Sequence, residues 1–122
     1  MTILSIETKK PITRQPHADV WRLITDRLPP ETINNILAAI DAKIGDEEEV
    51  KVAAWMPGKN WEETPFQPIY EIAALHDHDL SARMFGLLAW EAFRRRSDEW
   101  FTTTTIFPGR DVENRVYFRP RW

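Results

Sequence analysis

The sequence contains no cysteine, which excludes disulfide bonds, a thiol nucleophile and thiolate metal sites. It has only four glycines in 122 residues, and they form no glycine-rich phosphate-binding loop. The three serines lie outside any Gly-x-Ser-x-Gly nucleophile turn. These absences count against covalent catalysis and against nucleotide binding through a phosphate loop.

Long apolar runs are also missing. No stretch approaches the roughly 18 to 20 apolar residues that a membrane helix needs. The first residues lack the basic start of a signal peptide, so we expect a cytoplasmic protein without a membrane partner. The net charge of −3 argues against a protein whose main task is to hold a nucleic-acid backbone.

The length and the residue patterns predict one α+β domain over residues 1–122, in which residues 1–16 form a short strand and a polar linker. Apolar residues at helical spacing predict about four helices. Segments rich in β-branched and aromatic residues predict a small antiparallel sheet of three to four strands, with a C-terminal hairpin. The predicted helices span 17–28, 30–44, 69–76 and 80–96, and the predicted strands span 2–7, 50–56, 100–107 and 116–118.

Two of these helices indicate where the core lies. The segment 84–90 carries no charge, and a helix that is apolar on all sides is buried, so we place helix 80–96 at the centre of the domain. In the shorter helix 69–76, helical spacing makes four apolar side chains available to the core, namely Ile69, Ile72, Ala73 and Leu75.

The aromatic loop, residues 55–70, is the most informative segment. It holds two of the six tryptophans, a phenylalanine, a tyrosine, three prolines and a glycine. Long loops in compact domains are uncommon and often functional, and a loop this aromatic favours burial over disorder. It either fills the protein's own core or forms a recognition surface, and Trp61 is the best candidate for an exposed aromatic residue.

Arginine and aromatic residues are interleaved in the C-terminal segment that contains the last predicted strand. The segment 115–122 reads Arg-Val-Tyr-Phe-Arg-Pro-Arg-Trp, a composition typical of interface hot spots. The alternative is an edge strand protected by charge. Our first hypothesis is a non-enzymatic protein–protein interaction or regulatory module, which binds another protein or a second copy of itself. The predicted partner-binding residues are Trp61, Phe66, Tyr70, Arg115, Arg119 and Arg121.

The sequence His76-Asp77-His78-Asp79 supports a second hypothesis, a small-ligand binder or metal-dependent enzyme with Glu71 and Glu91 as further ligands. Two histidines two residues apart point to different faces of a helix, so the spacing favours a polar turn in which Asp77 or Asp79 caps the next helix. We therefore assign no catalytic residue, metal or cofactor. A third and weaker hypothesis is nucleic-acid binding by the C-terminal hairpin.

Overall fold

A computed structural model describes residues 2–5, 18–45, 47, 49–51, 61, 64–96, 99–103 and 116–119. In this part of the chain, three α-helices and a short π-helix pack with a small sheet, so the predicted α+β class is confirmed. None of the described helices is long and apolar enough to cross a membrane. The helices are α1 (Ala18–Arg27), α2 (Pro30–Ile44), the π-helix Ile69–Ala73 and α3 (His78–Arg95), and the strands are β1 (Thr2–Ser5), β2 (Glu49–Lys51), β3 (Glu99–Thr103) and β4 (Val116–Phe118).

The sheet has the strand order β1-β3-β4-β2. Its antiparallel part consists of β2, β4 and β3, with Val50 opposite Tyr117 and Tyr117 opposite Thr102. Strand β1 adds to this sheet in parallel with β3, which places Ile3 opposite Trp100. Parallel neighbours require a long crossover, and the helical segment between β1 and β3 supplies it.

Helix α2 follows the sequence pattern closely. Pro30 lies in its first turn, where the missing N–H costs nothing, and Glu31 complements the positive end of the helix dipole. Gly45 ends the helix with a φ of 41° and donates its N–H to the carbonyl of Asp41. This positive φ is one that glycine adopts readily. The buried face of α2 consists of Ile33, Ile36, Leu37, Ile40 and Ile44.

Helix α3 lies at the centre of the described core, as its uncharged middle predicts. It packs against α1, α2, the π-helix and β1. Phe93 joins it to the sheet, because its ring stacks on Tyr117 at 3.9 Å between centroids and meets Trp100 at 4.8 Å. Trp90, one turn earlier, is also buried. These rings make α3 the element on which the other described elements converge.

Three arginines at the end of α3 form ion pairs and hydrogen bonds within α3 and to α2. Glu91 is buried and pairs with Arg94 and Arg95, and its hydrogen bond raises the pKa of Arg94 above the ordinary value. Arg96 donates to the Asp41 carboxylate at 2.7 Å and to the Gly45 carbonyl at 3.2 Å. Cationic side chains at this position satisfy the last carbonyls of α2 and so fasten α2 to α3.

Candidate functional site

In the described part of the aromatic loop, Trp61, Phe66 and Ile69 are buried. Trp61 is 4% exposed and Phe66 is 2% exposed, so the prediction that Trp61 is exposed was wrong. Both rings pack edge-on against Phe85 of α3, at 5.8 Å and 4.8 Å between centroids. The alternative, in which the loop fills the core, agrees with the burial of Trp61 and Phe66, whereas Tyr70 is half-buried. Residues 55–60, 62 and 63 lie outside the described part of the chain.

Thr64 fixes the chain between these two rings. Its hydroxyl donates to the carbonyl of Trp61 at 2.7 Å and accepts from the N–H of Phe66 at 3.2 Å. Hydroxyl-to-backbone bonds of this kind stabilise tight turns. The N–H of Ile69 then donates to the carbonyl of Phe66 at 3.0 Å, so the turn runs directly into the π-helix.

The π-helix ends in an unusual backbone conformation. The N–H of Ala74 donates to the carbonyl of Ile69, and the N–H of His76 reaches back six residues to the carbonyl of Tyr70, both at 2.8 Å. Leu75 and His76 have φ angles of 51° and 67°. Left-handed backbone costs a non-glycine residue about 1–2 kcal/mol, and π-helical turns and such strain both concentrate at functional sites.

The turn formed by residues 70–78, called the 70–78 turn below, presents apolar side chains to solvent. Ile72 is 49% exposed and Leu75 is 65% exposed, and they are the exposed large apolar residues of the described chain. The prediction that both belong to the core was wrong. A π-helix closes its hydrogen bonds over five residues rather than four, so Ile69, Ala73 and Ala74 occupy the buried face and Ile72 turns outward.

Tyr70 links the buried rings to this exposed turn. It is half-buried, and its ring lies nearly parallel to Trp61 at 6.4 Å. The His76 ring meets it edge-on at 5.0 Å, and the His78 ring lies at 4.8 Å. Trp61, with a φ of 57°, is the third described non-glycine residue of positive φ. Two of these three residues, Trp61 and His76, therefore contact the Tyr70 ring.

The turn is hydrogen-bonded to α1 at Ala73 and to α3 at Asp77. Arg27, in the last turn of α1, donates to the carbonyl of Ala73 at 2.6 Å. At the other end, the Asp77 carboxylate accepts from the N–H of Leu80 at 3.0 Å and caps α3. Of the two predicted caps, Asp77 has this role. The turn is thus a defined structure rather than a loose connection.

The proposed metal ligands do not form a cluster. The described residues contain no group of three or more His, Asp or Glu side chains that could hold a metal ion. Glu71 accepts from the Gln67 amide at 2.9 Å, and Glu91 is paired with the arginines at the far end of α3. The metal-dependent hypothesis stays a prediction that a thermal-shift titration with zinc can test.

The C-terminal arginines are only partly described. Arg119 donates to the carbonyls of Glu47 at 2.9 Å and Gly45 at 3.1 Å, and its guanidinium lies 4.5 Å from the centre of the Trp100 ring. It supports the connection between α2 and β2. Arg115 and Arg121 lie outside the described residues, as does the whole of the predicted hairpin turn.

Among the residues of the 70–78 turn, the sequence predicted Tyr70 as a partner-binding residue and made Ile72 and Leu75 available to the core. The period of the π-helix distinguishes Ile72 from a core residue, whereas Leu75 lies beyond that helix on left-handed backbone, and no sequence pattern predicted either feature. Comparisons with protein-family models, with curated protein sequences and with solved structures find no match to this chain. The geometry of the 70–78 turn is therefore the basis for a functional proposal.

Proposed function

We propose that the protein is a non-enzymatic protein–protein interaction module that docks its partner on the 70–78 turn. One observation carries the proposal: the described chain holds Leu75 65% exposed on a left-handed backbone. A leucine in that place is unfavourable twice, through its exposure and through its backbone strain. Burial of its side chain in a complex would offset the first of these costs.

The support beneath the turn favours recognition over chance exposure. Docking surfaces bind well when their conformation is fixed before the partner arrives, because little entropy is then lost on binding. Trp61 and Tyr70 provide an aromatic base, and Arg27 and Asp77 fasten the two ends. In this proposal Trp61 and Phe66 act by positioning Tyr70, whereas Ile72 and Leu75 contact the partner.

The expected contribution of the exposed pair is moderate. Full burial of a leucine or isoleucine contributes about 1.5–3 kcal/mol, and part of this is lost to the entropy of association. Two such anchors beside a tyrosine match the small number of residues that dominate most interfaces. The predicted contribution of Arg115, Arg119 and Arg121 is a separate prediction on which this proposal does not depend.

The test compares Ile72→Ser and Leu75→Ser with the matched control Ala38→Ser on the exposed face of α2. Light scattering after size exclusion reports self-association, and affinity capture with quantitative mass spectrometry reports other partners. We expect both turn variants to lose the same partner or the same self-association, while the control retains it. Equal binding by the parent and both turn variants would refute the proposal.

A further inference from the structure

The charges on the 70–78 turn indicate which kind of partner it accepts. Resting on the proposed function, we infer that the partner presents a protein segment with apolar side chains flanked by lysine or arginine. The apolar residues would meet Ile72 and Leu75, and the basic residues would meet the carboxylates and the tyrosine ring around them.

Every formal charge in residues 64–79 is negative when the histidines are neutral. Glu71, Asp77 and Asp79 are exposed, and the segment contains no lysine or arginine. Glu71 accepts one bond from Gln67, and Asp77 accepts one from Leu80. A carboxylate can accept several hydrogen bonds, so both retain acceptor capacity for a cation.

The basic residues on the helices next to the turn include Arg22 and Arg27 of α1 and Arg83 of α3. Arg27 of α1 is half-buried and directs one guanidinium nitrogen at the carbonyl of Ala73, behind the exposed residues. Arg83 lies on the exposed surface of α3, beyond the first turn of that helix. Glu71 adjoins Ile72 in the chain and Asp77 follows Leu75 by two residues, so a partner with acids at those places would meet like charge.

The ring of Tyr70 also favours a positively charged group on the partner. The face of an aromatic ring attracts a cation that lies within about 6 Å of its centre, and arginine uses this contact more often than lysine. Tyr70 is half-buried and is stacked on Trp61, so its ring orientation is fixed before a partner binds. Because Trp61, His76 and His78 already pack around this ring, a basic side chain would contact only the part of it that they leave open.

The test is selection of a displayed random peptide library on the immobilised full chain, with removal of peptides that also bind Leu75→Ser. Ile72→Ser serves as a second variant for removal, so that the outcome does not depend on the folding of one variant. We expect the remaining peptides to be enriched in lysine or arginine next to apolar residues. Enrichment of neutral or acidic peptides would overturn this inference and leave the proposed function standing. A library that never distinguishes the parent from either variant would overturn both.

Charge reversal then measures the effect on one selected peptide. Glu71→Lys should weaken binding about fivefold at low salt, which corresponds to one exposed ion pair at the upper end of its usual range. Glu49→Lys, on strand β2, makes the same change in net charge and should alter binding less than twofold. Equal weakening by the two variants, or binding that does not respond to salt, would contradict a basic partner.

Discussion

The α3–sheet contact and the 70–78 turn are both aromatic, yet they differ in what the rings do. In the α3–sheet contact all three rings are buried, and Phe93 packs against both Trp100 and Tyr117. At the 70–78 turn, the buried Trp61 ring packs against the half-buried Tyr70. Two aliphatic side chains of the turn, Ile72 and Leu75, are exposed to solvent. Aromatic content alone therefore does not mark a recognition surface. The backbone conformation and the exposure of the neighbouring residues distinguish the two regions.

The largest expected effect lies in the α3–sheet contact. Phe93→Ala removes a fully buried ring that touches both Trp100 and Tyr117. We expect a loss of about 3–5 kcal/mol in the free energy of unfolding, because the cavity cannot be refilled. Urea unfolding followed by tryptophan fluorescence measures it. A loss below about 1 kcal/mol would show that this contact is not the central one.

The second prediction concerns the bond between α1 and the turn. Arg27→Met keeps much of the apolar stem but removes the donor to the Ala73 carbonyl. Hydrogen bonds from charged groups contribute about 1.5–3 kcal/mol, and we expect a loss at the lower end because Arg27 is half-buried. Hydrogen exchange should show faster opening of residues 69–76 than in the parent. Unchanged exchange there would mean that Arg27 does not hold the turn.

The third prediction concerns the other end of the turn. Asp77→Ala removes the cap of α3 and should cost about 1 kcal/mol of stability, measured by thermal unfolding. Asp77→Asn is the matched control, since asparagine caps helices about as well as aspartate. It should keep the stability and lose only the charge. If both variants lose the same stability, the capping bond is not the cause.

The smallest predicted effect has the opposite sign. Leu75→Gly relieves the left-handed strain, and after the extra entropy of unfolded glycine we expect a gain of about 0.5–1 kcal/mol. Leu75→Ala is the control, because it also removes the exposed side chain but keeps the strain. Both variants should lose partner binding. A Leu75→Gly variant that is no more stable than Leu75→Ala would show that the strain at Leu75 does not exceed the entropy cost of glycine.

The sequence predicted the scaffold better than the turn for a physical reason. Helix α2 has a regular apolar period between a proline and a glycine, and its predicted span, 30–44, matches the observed one. The fate of Trp61 depended on Phe85, which comes much later in the chain and supplies the ring that it packs against. The outward direction of Ile72 depended on a π-helical turn, and an α-helical period assigns that residue to the core. Local sequence patterns therefore predict the span of a regular helix such as α2. They do not predict the burial of Trp61 or the exposure of Ile72.

The parallel pairing of β1 with β3 has a consequence for the order of events during synthesis. Residues 2–5 leave the ribosome long before their partners, residues 99–102. The helices between them can begin to form earlier, because their contacts are more local. Strand β1, at the edge of the sheet, therefore cannot pair until β3 has been synthesised. We expect the complete sheet to form late in folding.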